Sequence, residues 1–403
     1  MVERPLWIRI ATVLAVVVVL GALTIANFRF AEKLPGGNDF LARWMGARYW
    51  VQEGISPYDP QVSLATQELI YGRAADVEAG EDISHFVYPF PAMVFFAPFG
   101  ALPYTLARAV WMTVLEISLP ILALMGIAIA DWKPRRAIWV SLLLFSVLWY
   151  HGTRAVIVGQ FAVIEALLMV GALLAIKRGS DPLAGVLLGL SIAKPQMVVL
   201  LMPFVFLWAG WARRWSIVVW GVGTIAGLLA VSVLLLPDWP LMWMRQLLEY
   251  PTYTDLGPPV EILADAFPSL SGAIAVVMGG ALLLYLFWEW GKAAGKSDRW
   301  FQWTAALTIV VTNLAALRTA TTNYVVLLPA LILVFSVLAE RWRGRGDGVV
   351  LLTMAALLFG LWALFLATIE GNTESPVMYL PVPILTLLGL WWARWWTIRA
   401  VRL

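Results

Sequence analysis

The sequence has no cysteine, which removes disulfides, thiolate nucleophiles and cysteine-ligated metals in one step. Histidine is almost as scarce. His85 and His151 stand too far apart for any metal-ligand spacing, and no metal or other cofactor is expected. Charge is the third shortage: 13% of residues are charged, where a soluble domain needs about a quarter. Apolar residues make up 61% of the 403 positions. Mean hydropathy is +0.82, and apolar runs of roughly 17–25 residues recur, each enough to cross about 30 Å of hydrocarbon. The chain reads as an all-α polytopic membrane protein.

A formal net charge of +3 does not imply nucleic acid, because the bases sit in short clusters at helix ends, where orientation signals belong. The clusters are Lys133-Pro134-Arg135-Arg136, Lys177-Arg178, Arg213-Arg214, Lys292 to Arg299, Arg341 to Arg345 and Arg394 to Arg402. Placing every cluster in the cytoplasm gives spans near 7–28, 105–130, 137–151, 159–176, 183–193, 196–211, 216–236, 270–291, 301–316, 324–339, 349–369 and 378–397, about twelve crossings. The first run, Trp7 to Phe28, follows Arg4 and Arg9. It is too long for a signal peptide and no small-x-small cleavage site follows, so it reads as a retained helix with a cytoplasmic N-terminus. Most of the 23 Trp are expected in interfacial belts.

No internal repeat or low-complexity segment is visible, and residues 1–403 read as one integral membrane domain. Two long outer loops follow from the topology, 29–104 and 237–268. In the first, nine acids and five bases lie between Arg29 and His85, the balance expected of a translocated loop. The second carries Asp238, Glu249, Asp255, Glu261 and Asp265 against Arg245. The proline-rich run 86–103 reads as a short or re-entrant outer helix buried against protein. Cytoplasmic loops are only a few residues long, so function is expected outside.

Asn38 is placed to cap an outer amphipathic helix, with Asp39 in its first turn and Phe40, Trp44, Ala47 and Val51 at helical spacing. Beside Gly36-Gly37, Asp39 is either a capping acid or a general base at the bilayer surface. Lys194 lies between two short apolar runs, where a lone charge is costly; it either snorkels to the interface or meets an anion. Arg154, in His151-Gly152-Thr153-Arg154, and Arg318, upstream of Asn323, fall on the same outer rim. Three cations against the charge bias of that side point to a phosphate. The acids within spans, Glu116, Glu165 and Glu289, have no obvious partner in sequence.

An ordered series of short motifs runs from Asp39 to Pro329: Asp39-Phe40; Gly54 to Tyr58; Tyr88-Pro89-Phe90-Pro91; Gly159-Gln160; Gly185 to Gly189 leading to Lys194-Pro195; and Asn323-Tyr324 before Leu-Leu-Pro. The series resembles glycosyltransferase family 87, integral membrane enzymes of the GT-C type that include polyprenol-phosphate-mannose-dependent mannosyltransferases. The resemblance implies a GT-C-type fold with outer amphipathic and re-entrant helices, in a bacterial cytoplasmic membrane. It implies inverting transfer of a sugar, mannose foremost, from a polyprenyl-phosphate donor to a lipid or glycan acceptor on the extracytoplasmic face. By it, Asp39 matches the catalytic base, and Lys194, Gln160 and the Tyr88-Pro89 turn match positions lining the donor side. Lys194, Arg154 and Arg318 would bind the donor phosphate, and Asn38, Tyr58, His85, Tyr88, Gln160 and Asn323 the substrates. Thr321-Thr322-Asn323-Tyr324 departs from the His and Asp that many members carry there. A transporter or flippase of lipid-linked sugars is the alternative, although it favours internal repeats and midplane charges.

Overall fold

The computed structural model describes residues 5–34, 36–254, 257–342, 344–371 and 373–399. Arg4, Asp255, Arg343 and Arg402, assigned above to clusters and loops, lie outside them. Among the described residues the chain is helical, with one isolated bridge between Glu370 and Thr373. It divides into two compact units. The first comprises Met1–Phe86, Met93–Ile117 and Val156–Gln160; the second comprises Val87–Ala92, Ser118–Ala155 and Phe161–Leu403.

The first unit holds α1 (Leu6–Lys33), α2 (Asn38–Glu53), α3 (Pro60–Tyr71), α4 (Met93–Gly100) and the first half of α5 (Tyr104–Ile129). α1 presents Val13, Leu14 and Val16 to Val19 outward from its apolar middle, as a lipid-facing helix does. Asn27 on α1 donates to Glu116 at 2.8 Å, so that acid is partnered across α1 and α5. α2 begins one residue earlier than a cap at Asn38 requires. Gly37 is the N-cap, with φ +77°, and Asn38 is the first helical residue. The apolar stripe also stops short: Phe40, Trp44 and Ala47 are buried, but Val51 is exposed. Leu41, Ala42 and Met45 are buried too, so α2 is covered on several sides rather than along one stripe.

The second unit holds α6 (Arg136–Leu148), α7 (Tyr150–Val158, whose last turn belongs to the first unit), α8 (Ala162–Lys177), α9 (Asp181–Leu190), α10 (Pro195–Val198), α11 (Leu201–Trp211), α12 (Trp215–Leu235), α13 (Trp239–Glu249), α14 (Pro259–Ala264), α15 (Ser271–Ala293), α16 (Asp298–Ala315), α17 (Leu328–Arg341), α18 (Gly346–Thr368) and α19 (Pro381–Ile398). Contacts tie its basic helix ends into one layer. Lys177 pairs with Asp131 at 2.6 Å, Arg135 with Asp347 at 3.2 Å, Arg214 with Asp181, and Arg394 with Glu289 at 2.9 Å. Glu289 is therefore paired, contrary to the sequence reading. A cavity lined by Asp131, Lys177, Arg299, Glu340 and Trp396 joins three of the clusters at this end.

Among the described residues, seven helices are long and apolar enough to cross a membrane, or eight if the pair Arg136–Leu148 and Tyr150–Val158, bent by 46°, is one span. The protein is a multi-pass membrane protein. The other expected spans are helices too short or too polar to qualify alone. The reason is burial. From Ala162 to Ile176 on α8 every position is buried except Ile164 and Leu167, which are partly shielded, and α16 hides Gln302, Thr304, Thr308 and Thr312 inside the unit. These threonines donate to carbonyls one turn back, for example Thr308 to Thr304 at 2.8 Å, and Trp290 donates to Thr308 at 2.9 Å. Helices sheltered by protein need neither full length nor a wholly apolar face.

Candidate functional site

Asp39 takes its position from the residue after it. Phe40 is fully buried, stacks on Trp111 at 5.2 Å and meets Phe99 edge-on at 5.8 Å. The preceding Gly36-Gly37 strap is held by the Tyr104 hydroxyl, which donates to the Gly36 carbonyl, while Arg108 donates to Leu34 O at 2.7 Å and Ile157 O at 3.3 Å. Asp39 itself is half-buried in the first turn of α2, where a negative charge is favoured. Gly159 seals the arrangement. Its φ is +73°, a Cβ there would stand 2.5 Å from that of Phe40, and its carbonyl accepts from Trp111 at 2.9 Å. Gln160 follows, buried. Asn38 is exposed and His85 half-buried. Tyr58 is buried edge-on against Phe86 at 5.7 Å, and desolvation raises its hydroxyl far above the usual tyrosine range.

In the second unit, Lys194 terminates a broken helix. Pro195 disfavours helical backbone at the residue before it, and Lys194 has φ −135° between the turn Ser191–Ala193 and α10. Gly185 and Gly189 bring α9 hard against α12: a Cβ at Gly185 would stand 2.5 Å from Ile217 O, and one at Gly189 2.5 Å from Thr224 Cβ. Small residues permit that approach between membrane helices. The break turns Lys194 inward, not toward an interface, and it is 3% exposed. Its Nζ donates to Asn323 Oδ1 at 2.6 Å and lies 5.7 Å from the Tyr88 ring. Fully buried Glu165, whose oxygens have no hydrogen bond among the described residues, feels the Lys194 charge. Tyr88 is fixed by its neighbours. Val87 accepts from Trp243 at 3.0 Å and donates to Gln246 at 3.3 Å, and Phe161 meets the Tyr88 ring edge-on at 5.8 Å.

The turn Thr321–Leu327 carries Asn323 to Lys194 and Thr321 and Tyr324 to a second cluster. There Glu374 Oε1 accepts from Thr321 at 2.6 Å and Tyr150 at 2.7 Å, and Tyr324 donates to Tyr379 O at 3.0 Å. His151 is buried among Trp149, Tyr150 and Tyr324, at 5.0 to 5.3 Å between ring centres. Arg154 lies 5.3 Å over Phe365, and Arg318 5.5 Å over Tyr379. Arg154 and Glu374 both act electrostatically on Tyr150, and Arg318 and Glu374 on Tyr324. Cations and hydroxyls from distant segments thus meet at the end of the unit opposite its ion-paired basic layer. Residues 86–257 match the model of glycosyltransferase family 87. The match covers less than half of the chain, which over that stretch is similar to glycosyltransferase family 87.

The family 87 match contains His151, Arg154, Gln160, Lys194 and the Tyr88 turn; Asp39, Arg318, Asn323 and Glu374 lie outside it. No curated protein and no solved structure matches the chain. Glu374 was missed in the sequence. One of two acids, with Glu370, in a short loop between apolar helices, it carries no spacing signal, and its partners Tyr150 and Thr321 are 224 and 53 residues away.

Proposed function

We propose that the protein is an inverting glycosyltransferase that moves a sugar, mannose foremost, from a polyprenyl-phosphate donor to a lipid or glycan acceptor. The observation that carries this reading is the gathering of Lys194, Arg154 and Arg318 around the Thr321–Leu327 turn, in a chain otherwise poor in charge. Guanidinium and ammonium groups at that place suit a phosphate monoester, the leaving group of such a donor. Asp39, by its resemblance to the family's catalytic aspartate, is the general base; Tyr88 and Gln160, by the same resemblance, and Asn38, Tyr58, His85 and Asn323 serve the substrates. The acceptor hydroxyl oxygen bonds to the anomeric carbon as its proton passes to Asp39. The bond from that carbon to the phosphate oxygen breaks, and its electron pair leaves with the polyprenyl phosphate, stabilised by the cations. The architecture is of the GT-C type with about twelve crossings, in a bacterial cytoplasmic membrane, with chemistry on the extracytoplasmic face.

The test is Asp39→Asn in membranes supplied with labelled polyprenyl-phosphate mannose. Loss of general-base catalysis lowers transfer by about 10²–10⁴-fold, with donor binding retained. Transfer at the unaltered rate would remove Asp39 from the mechanism.

A further inference from the structure

We propose that Glu374 is the sugar-recognising acid of the second unit, a residue that reads hydroxyl groups on the glycosyl moiety while Arg154 and Arg318 hold the phosphate. The proposal rests on the donor reading above.

A carboxylate offers about four acceptor positions across two oxygens. Here Oε1 takes both internal donors, Thr321 at 2.6 Å and Tyr150 at 2.7 Å, and Oε2 takes neither. Short charge-assisted bonds to a single oxygen fix the plane and direction of the group and leave the other oxygen available. Glu374 is half-buried in the loop between α18 and α19, so Oε2 is reachable and still partly desolvated. Aromatic rings flank the group: Tyr150 packs against Trp362 at 5.2 Å and Phe365 at 4.9 Å, and Tyr379 lies beneath Arg318. A pre-oriented carboxylate oxygen beside rings, adjacent to guanidinium groups, fits a neutral pyranose attached to a phosphate. Hydroxyls donate to Oε2, and the fixed negative charge disfavours a sugar that carries its own carboxylate.

The experiment compares binding of two probes to the full-length protein in nanodiscs, polyprenyl-phosphate mannose and sugar-free polyprenyl phosphate. Glu374→Gln, which keeps the shape and an acceptor for Tyr150 and Thr321, weakens binding of the mannosyl lipid about tenfold or more, as loss of a charged hydrogen-bond acceptor does. Binding of the bare lipid phosphate stays within about twofold. Should Glu374→Gln fail to fold, Tyr150→Phe removes one of the bonds that orient the carboxylate and weakens the mannosyl lipid selectively, by a smaller factor. Unchanged binding of the mannosyl lipid overturns the proposal, and so does an equal loss for both probes, which would make Glu374 a support for the arginines. Unaltered protein that binds neither probe defeats the donor reading itself and this proposal with it.

Discussion

Lys194 and Glu165 show what one charge costs in this interior. Lys194 bonds Asn323 at 2.6 Å, and Glu165, at 0% exposure, has no hydrogen bond among the described residues and the Lys194 charge near it. Removing the ammonium leaves the buried Asn323 oxygen without that donor, at about 1–3 kcal/mol, and takes away the charge that Glu165 feels. Lys194→Met should therefore lower the thermal midpoint strongly, and adding Glu165→Gln should recover part of the loss. If the double variant is as unstable as the sum of the single ones, the two groups are not coupled. A second residue-scale effect lies in the first outer loop. Arg73 bonds both oxygens of Glu81, at 2.7 and 2.9 Å, and this, with the Asp76 amide, holds the Glu81 carboxyl below its ordinary range. A depressed folded pKa contributes order that is fully present above the unfolded carboxylate value and is lost as pH falls through the folded one. The Asp76 amide should exchange hydrogen faster on acidification, beyond the intrinsic change, and Glu81→Gln should abolish that extra dependence.

At the scale of elements, the positions of Asp39 and Lys194 depend on close backbone approaches. Gly159 combines φ +73° with a Cβ position 2.5 Å from Phe40. Gly159→Ala imposes both strain and overlap, each costing about 1–3 kcal/mol. It should lower the thermal midpoint and, by displacing Phe40, reduce transfer more than donor binding. The α9–α12 crossing at Gly185 and Gly189 fixes the Lys194 break in the same way. Gly189→Val should separate the helices, destabilise the fold and weaken binding of polyprenyl phosphate. A variant with normal stability and binding would show that the crossing does not position Lys194.

At the scale of the whole molecule, ion pairs gather at the basic helix ends, and the candidate cations lie at the other ends of the second unit's helices. The absence of cysteine makes orientation directly measurable. Lys133→Cys and Glu370→Cys, at exposed positions, should react with an impermeant thiol reagent from opposite faces of the membrane, Glu370→Cys from outside. Reaction from the same face would remove the orientation derived from the basic clusters.

The sequence by itself determined the membrane class, because the shortage of charge and the length of apolar runs are properties of composition and order that no packing can reverse. It also marked most helix ends: the expected span 105–130 is Tyr104–Ile129, 216–236 is Trp215–Leu235 and 349–369 is Gly346–Thr368. Where helices are shielded by protein, as with α8 and α16, hydropathy lost its force as a guide to crossings, since the surroundings there are side chains and not lipid. Partnerships were decided only in three dimensions. Glu116 found Asn27, Glu289 found Arg394, and Glu374 found Thr321 and Tyr150 across long stretches of chain. A hydrogen bond depends on angstrom-scale placement of two groups, and sequence order does not encode that placement until helices of definite length and close approach bring the groups together.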